Sequence, residues 1–332
     1  MPDWTAPALL DTTSAYWQGC AIMAAVNLDL FRHLADTADS AAGLARRLSL
    51  DPRALGMLLR ALAALELLEQ EGERYRCTPA AARLLVPDSP DFLGNIITHH
   101  HHLLESWGKL DQAVRSGQPQ RTRVSFSEAQ WRESFLLGMQ NLANLTAPKL
   151  VPRIEIGRRT RMLDLGGGPA TWAIHFCRQH PALQVRVFDL PGSREFAETA
   201  IQKAGLAERI HFQGGDFNQD PLPSGNDMVW MSQILHSEGI EHCQALIDRA
   251  AATLTDEGLL LIHEFILDDE GAGPLHPALF ALNMLLGTDR GCSYREGELR
   301  EMLQTAGLDH IERLALPAAS RSGIILARKT TN

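Results

Sequence analysis

The sequence predicts a doubly wound α/β sheet preceded by a smaller, mainly helical domain of winged-helix type. Three observations carry that prediction. From Thr160 onward, short apolar runs alternate with helix-like segments, whereas the first 150 residues read almost wholly as helices. The stretch Met162-Leu163-Asp164-Leu165-Gly166-Gly167-Gly168-Pro169-Ala170-Thr171 runs from apolar residues through an acidic one into three glycines and a helix start. Near the N-terminus, Asp51-Pro52 and Thr78-Pro79 are helix-opening pairs on either side of the short, turn-containing segment Glu71–Cys77. The boundaries that follow are a winged-helix domain over residues 1–90, a helical cover over 91–158 and an α/β core over 159–332.

The elements follow in chain order. Residues 8 to 34 carry apolar side chains at helical spacing, among them Leu9, Ile22, Val26, Leu30 and Leu34. Ser40 caps a helix through Leu48, and Asp51 with first-turn Pro52 opens the next, Ala54 to Leu68. Glu71–Cys77 suits a small β-wing, and Thr78-Pro79 starts another helix. The candidate recognition helix of this module offers only Arg53 and Arg60 among leucines and alanines, as a helix buried against a partner does. Residues 91 to 150 read as helices, with loops at Ser116–Pro119 and Arg121–Ser125, and Pro148 and Pro152 bracket the approach to the core. Strands are expected over 161–165, 184–189, 209–213, 227–232, 258–266, 310–316 and 322–328, with helices starting near Ala170, Gly192, Ile240 and Arg295.

Composition narrows the classes of function. The chain of 332 residues carries a formal net charge of −9, which argues against a nucleic-acid binder held by phosphate contacts. No apolar run approaches the ~20 residues of a membrane span, and Met1–Trp17 lacks the pattern of a secretory leader. The five cysteines, Cys20, Cys77, Cys177, Cys243 and Cys292, form no CxxC pair and suit reduced thiols in the cytoplasm.

The glycine-rich turn belongs to an adenosine-type site. Glycines let the backbone bend sharply and approach a ligand where a Cβ would collide. Asp189 ends the second strand, 21 residues after Gly168, where a carboxylate holds ribose hydroxyls. Gly214-Gly215-Asp216-Phe217 follows the third strand, so an adenine can stack on Phe217 while Asp216 accepts from its amino group. Thr171 replaces the third glycine of a dinucleotide fingerprint, which removes the close approach a pyrophosphate needs. Asp164 likewise opposes a phosphate but suits the cationic amino-acid end of S-adenosylmethionine. The bland reading is that Asp164 and Asp189 only cap helices.

Taken together, Asp164–Gly168, Phe188-Asp189-Leu190-Pro191, Gly214–Phe217 and Ile234-Leu235-His236, with Glu241-His242-Cys243 downstream, resemble the S-adenosylmethionine-dependent O-methyltransferases of the plant caffeate and bacterial polyketide and phenazine type. The resemblance covers nearly the whole chain. It implies a class I methyltransferase sheet, Rossmann-like, over residues 91–332, and a homodimer formed through the winged-helix module. It implies a cofactor site of Asp164, Gly166, Gly168, Asp189, Leu190, Gly215, Asp216 and Phe217, with Ser232 where the family often has a lysine.

His236 follows the fourth strand, on the ligand side of an open α/β sheet. From the residues alone it is either a helix cap or a base; an imidazole of pKa ~6.5 is the natural base for a phenol of pKa ~10. The resemblance places the family's base at His236 and a flanking glutamate at Glu264, 28 residues later at the end of the fifth strand. The chain departs from the family at Ser237-Glu238, where Asp-Trp is usual, and at Ser293, where a second glutamate is usual.

Candidates for the acceptor pocket are Trp107, Met139, Asn144, Phe280, Asn283 and Met284, of which the last two match the family's acceptor-binding stretch. Such methionines and aromatics are also ordinary core residues. The run His99-His100-His101-His102 reads first as surface or core histidines; His99 and His102 share a helix face, so a role in the acceptor pocket is the alternative, and no further metal partner is identified. The expected function is methyl transfer to a hydroxyl of a small aromatic or cyclic metabolite. Methylation of carbon, nitrogen or sulfur, a non-methylating relative, and a winged-helix ligand sensor remain alternatives.

Overall fold

A side-chain oxygen that caps the first turn, with a proline inside that turn, opens three helices near the N-terminus. Thr5, Asp51 and Thr78 accept from the amides of Ala8, Ala54 and Ala81 at 3.3, 2.7 and 3.2 Å. The computed structural model describes residues 4–122, 129–316 and 321–330. The chain divides into two units, Met1–Leu104 and Glu105–Asn332.

The first unit holds α1 (Ala6–Ser14), α2 (Tyr16–Asn27), α3 (Leu30–His33), β1 (Asp39–Ser40), α4 (Ala41–Leu48), α5 (Pro52–Ala64), β2 (Leu68–Glu71), β3 (Arg74–Cys77) and α6 (Pro79–Leu85), then most of α7 (Gly94–Trp107). The stretch over 8–34 is thus three helices, with Asp29 left-handed (φ 52°) between the second and third. The helix expected to reach Leu68 stops at Ala64. Glu66 turns left-handed (φ 59°), and Leu68, 3% exposed, becomes the first residue of β2, paired with Cys77. The wing is a β2–β3 hairpin, and β1 adds a third strand beside β3. Leu59 and Leu62 of α5 are buried with Leu30, Phe31 and Leu44, so this helix spends its leucines on the core of its own unit.

The second unit continues with α8 (Leu110–Ser116), α9 (Ala129–Leu150), β4 (Arg161–Leu165), α10 (Thr171–Gln179), β5 (Gln184–Asp189), α11 (Arg194–Lys203), β6 (Ile210–Gly214), β7 (Asn226–Ser232), α12 (Ile240–Ala252), β8 (Leu254–Glu264), α13 (Leu275–Gly287), α14 (Glu296–Thr305), β9 (Leu308–Arg313) and β10 (Gly323–Lys329). Of the loop expected over Arg121–Ser125, residues 123–125 lie outside the described residues. The seven strands run β6-β5-β4-β7-β8-β10-β9; the first five in that order are parallel and β10 is antiparallel to both its neighbours. From β4 the chain builds outward to β6, then returns to lay β7 on the other side of β4. That reversal opens a crevice at the strand ends, where open α/β sheets bind ligands.

Alternation along each strand divides two apolar layers. Met162, Val187, Trp230 and Leu261 pack with Trp172 and Phe176 on one face, and Leu163, Leu165, Val229 and Ile262 on the other. Two expectations shift. The strand expected from residue 258 starts at Leu254, because pairing resumes past an irregularity in which Glu257 is left-handed (φ 58°). α13 adds a helix between β8 and α14 that the expected helix starts omit. All five cysteines are free, and among the described residues no helix is long and apolar enough to cross a membrane.

Leu163 is wholly buried in β4, so Leu163→Ala should cost about 2–5 kcal/mol of stability, whereas Leu145→Ala, at a position 44% exposed, should change it by less than about 0.5 kcal/mol. Denaturant unfolding of the two variants checks this; equal midpoints would contradict the assigned core.

Candidate active site

The turn after β4 is shaped by close approach. Gly166 is left-handed (φ 69°), and a Cβ there would fall 2.5 Å from Ile234 Cγ2. Its amide donates to the Phe188 carbonyl at 2.8 Å, tying the turn to the end of β5. Gly168 donates to Asp189 Oδ2 at 2.7 Å, while Leu190 N and Ser193 Oγ donate to Oδ1 at 2.7 and 2.9 Å. Asp189 is therefore held at the strand end; burial raises its pKa, and these three donors pull the other way. Gly215 N donates to the Asp189 carbonyl at 2.9 Å, and the Phe217 ring reaches within 3.5 Å of the Cβ position of Gly166. Asp164, Gly166, Gly168, Asp189, Leu190, Gly215 and Phe217 thus gather at one crevice.

Asp164 is the least satisfied group in it. The residue is wholly buried, and neither carboxylate oxygen has a hydrogen-bond partner among the described residues. Burial first, then the neighbouring Asp189 charge, pushes its pKa up to about 7, with the Ala173 amide at the start of α10, short of hydrogen-bond geometry, opposing them. A buried carboxylate without donors calls for a cationic ligand group.

Asp216 is tied into its own turn. Its oxygens accept from Asn218 N and Gln219 Nε2, both at 2.9 Å, so they close the local turn. Ser232 joins His263 instead of facing an open site. Its hydroxyl lies 2.9 Å from His263 Nδ1, whose Nε2 is 2.8 Å from Ser322 Oγ. Burial pushes His263 down to about 4, so it is neutral, stacked on Trp230 at 5.6 Å.

The parallel register of β7 and β8 brings the two strand ends side by side. His236 Nδ1 stands 2.8 Å from Glu264 Oε2, and Oε1 accepts from the amides of Leu235 and His236 at 2.9 and 3.3 Å. Glu264 is 3% exposed. Burial by itself would raise its pKa, but the His236 charge and these hydrogen bonds hold it below the usual carboxylate value. An ionised carboxylate on Nδ1 fixes the imidazole so that Nε2 is the basic nitrogen.

Around that ring lies an aromatic wall. Phe280 meets His236 edge-on at 4.8 Å, Phe265 is 4.4 Å from Phe280, and His276 is 4.9 Å from Phe265. Phe265 and His276 were not singled out from the sequence. The position of Phe265 directly after Glu264 is a readable signal, whereas nothing local marks His276. Asn283 and Met284 follow one turn along α13. Met284 is buried, and the Asn283 Oδ1 accepts from Arg121 Nη2 at 3.0 Å. Trp107 ends α7 half-buried, and Met139 lies half-buried on α9. Asn144 is exposed and turned to His175 Nε2 at 3.0 Å, where it joins α9 to α10 rather than the His236 group.

The departures from the family pattern have local explanations. Ser237 Oγ donates to the Ile234 carbonyl at 2.8 Å, and the wholly enclosed Ser293 Oγ donates to the Pro277 carbonyl at 2.8 Å. Both hydroxyls secure backbone. A groove of about 770 Å³ beside Gly239, His242 and Arg290 shares no residue with the candidate site. His99–His102 lie on α7, His99 buried and His100 and His101 exposed, and no group of three metal-binding side chains occurs among the described residues.

An O-methyltransferase domain family matches residues 107–309, and an O-methyltransferase dimerisation domain family matches residues 10–87. The chain is similar to the 3-hydroxy-5-methyl-1-naphthoate 3-O-methyltransferase of Streptomyces sahachiroi, 34% identical over 99% of this chain and 97% of that one. It is similar to the tetracenomycin polyketide synthesis 8-O-methyl transferase of Streptomyces glaucescens, 32% identical over 93% of each. Its fold matches that of human N-acetylserotonin methyltransferase in complex with SAM, with a TM-score of 0.89 and 26% identity over 99% of both chains.

The raised pKa of Asp164 has a definite sign. Between the unfolded value near 4 and about 7, the folded chain keeps a proton that the unfolded chain has lost, so ionisation of Asp164 removes stability as pH rises through that window. Wild type should lose stability relative to Asp164→Asn over pH 4 to 7, by at most about 1.4 kcal/mol per pH unit. Urea midpoints across that range measure it; a pH-independent difference would contradict the assignment.

Proposed function

The chain belongs to the O-methyltransferase family, whose cofactor is S-adenosylmethionine, and from that premise we propose that it methylates a hydroxyl of a small aromatic acceptor with His236 as general base. The observation that carries this reading is the 2.8 Å contact between His236 Nδ1 and the buried Glu264 carboxylate.

The crevice fits the cofactor on two counts. Asp164 is an orphaned buried carboxylate suited to a cationic group, and Gly166 lines a cradle that a Cβ would fill. S-adenosylmethionine supplies, when bound, a methyl group on a sulfonium already activated toward an oxygen nucleophile. In this proposal Asp164, Gly166 and Gly168 line the amino-acid end, Asp189 and Leu190 the ribose, and Gly215, Asp216 and Phe217 the adenine. Ser232 acts at second hand, through its bond to His263.

For the chemistry, Nε2 of His236 would accept the acceptor's hydroxyl proton as the new oxygen–carbon bond replaces the methyl's bond to sulfur, the cofactor leaving as a neutral thioether. Glu264, ionised, stabilises the imidazolium that results and prevents the ring from turning. The Phe265–Phe280 wall keeps the base in an apolar setting and offers faces to an aromatic ring. Much of the rate comes from alignment of oxygen and methyl, which the packed α13 provides by holding Phe280 against His236. One bacterial relative is named for 3-O-methylation of a hydroxymethylnaphthoate and the other for 8-O-methylation in tetracenomycin polyketide synthesis, which supports a fused-ring acceptor here. The relatives are enzymes, which supports catalysis over the sensor reading.

The dimerisation family match over residues 10–87 supports a homodimer formed through the domain of residues 1–90, which we read as a winged helix. Trp4, Leu9, Leu10, Tyr16 and Trp17 stand exposed on the first two helices and the residue leading into them, as partner-covered side chains do. A cytoplasmic location fits the five free thiols.

His236→Ala should lower kcat for a hydroxynaphthalene acceptor by about 10²–10⁴, and Glu264→Gln by about 10² or more. S-adenosylhomocysteine affinity, measured by calorimetry, should stay within about threefold in both. Undiminished turnover in His236→Ala would remove the base assignment.

A further inference from the structure

Arg121 is a half-buried cation, its Nε enclosed, without a counter-charge among the described residues. The amides of Gln120 and Arg121 both donate to the Leu286 carbonyl, at 2.8 and 3.1 Å, which brings this residue against α13. Its guanidinium donates through Nη1 to Ser106 Oγ at 2.8 Å and through Nη2 to the Asn283 carbonyl and Oδ1 at 2.9 and 3.0 Å. Gly287 is what admits it: a Cβ there would fall 2.7–2.8 Å from Nη2, Cζ and Nε. Every partner is a neutral oxygen. Nε is buried with no partner, and no carboxylate pairs with the group among the described residues. Burial alone pulls its pKa down to about 10.

A neutral side chain would tie this loop to α13 without the cost of burying an unpaired charge, so the charge itself calls for an explanation. The position supplies one. Phe280, Asn283 and Gly287 recur at helical spacing and share one stripe of α13, and Phe280 is the residue that meets His236 at 4.8 Å. From Phe280 to Asn283 and Gly287 the stripe runs roughly 5 to 10 Å, the length of one or two aromatic rings. The Oδ1 of Asn283 is taken by Arg121, which leaves the Nδ2 hydrogens as its donors. A guanidinium with an adjacent amide is a donor set for a carboxylate.

We propose that the acceptor is an aromatic hydroxy acid, its hydroxyl at His236 and its carboxylate recognised by Arg121 with Asn283. This rests on the methyl-transfer reading of the site and names the acceptor's second functional group. Arg121 is then a specificity-determining residue that touches substrate but takes no part in proton transfer.

The test compares acids with their neutral twins: 6-hydroxy-2-naphthoic acid against 2-naphthol, and 3-hydroxybenzoic acid against phenol. Binding to the full chain loaded with S-adenosylhomocysteine is measured by calorimetry, and turnover with labelled S-adenosylmethionine. Wild type should favour at least one acid over its twin by tenfold or more in Kd. In Arg121→Gln that ratio should fall to within about threefold of one, the loss lying in KM rather than kcat, and Arg121→Lys should keep part of the preference. An absence of preference in wild type, or an equal loss for acid and twin in Arg121→Gln, would overturn the assignment. Preferential binding of an acid without methyl transfer to either member would count against the activity and leave the carboxylate site standing.

Discussion

A carboxylate 3% exposed at the end of β8 is a costly group to bury, and the proposed catalytic face of the molecule is arranged around satisfying it. Glu264 receives two backbone amides and the Nδ1 of His236 from the turn after β7, and the amide of Phe265 from its own strand end. That geometry needs β7 and β8 parallel and in register to their ends, which the Ser232↔His263 pairing provides. The same strand ends place Phe265 beside the imidazole, and α13 closes over it with Phe280. Sheet register, charge satisfaction and the position of the base are one constraint.

The cofactor crevice uses the opposite tactic. Burial raises the pKa of both Asp164 and Asp189, and the Asp189 charge raises that of Asp164 further, yet only Asp189 has its donors. The fold leaves Asp164 unmet at the start of α10, held in a layer of apolar side chains where water supplies little. Such an arrangement stores affinity for a cation at some cost to stability. Arg121 repeats the pattern with the sign reversed, a cation unmet beside α13.

Much of this was legible in the residues. The glycines after Asp164, the acidic ends of the first two strands and the His236–Glu264 spacing are local patterns with direct physical reasons, and the structure brings them to one edge of the sheet. What was hidden depends on packing between distant segments. Ser232 carries no mark in sequence that it bonds to His263, a partner 31 residues away. Asn144 carries no mark in sequence that it turns to His175. Arg121 lies 162 residues from Asn283, and only the close approach of a glycine on α13 admits its guanidinium. The early helices failed at their ends for a different reason: residues such as Asp29 and Glu66 adopt left-handed conformations that composition does not announce.

The central claim is that His236 receives the proton from the acceptor. A crystal structure with S-adenosylhomocysteine and a hydroxy-aromatic acceptor tests it most directly. The account predicts the acceptor oxygen about 2.6–3.2 Å from His236 Nε2, directly or through one water, with Nδ1 still bonded to Glu264. An acceptor oxygen placed against another titratable group, with His236 Nε2 out of reach, would contradict it.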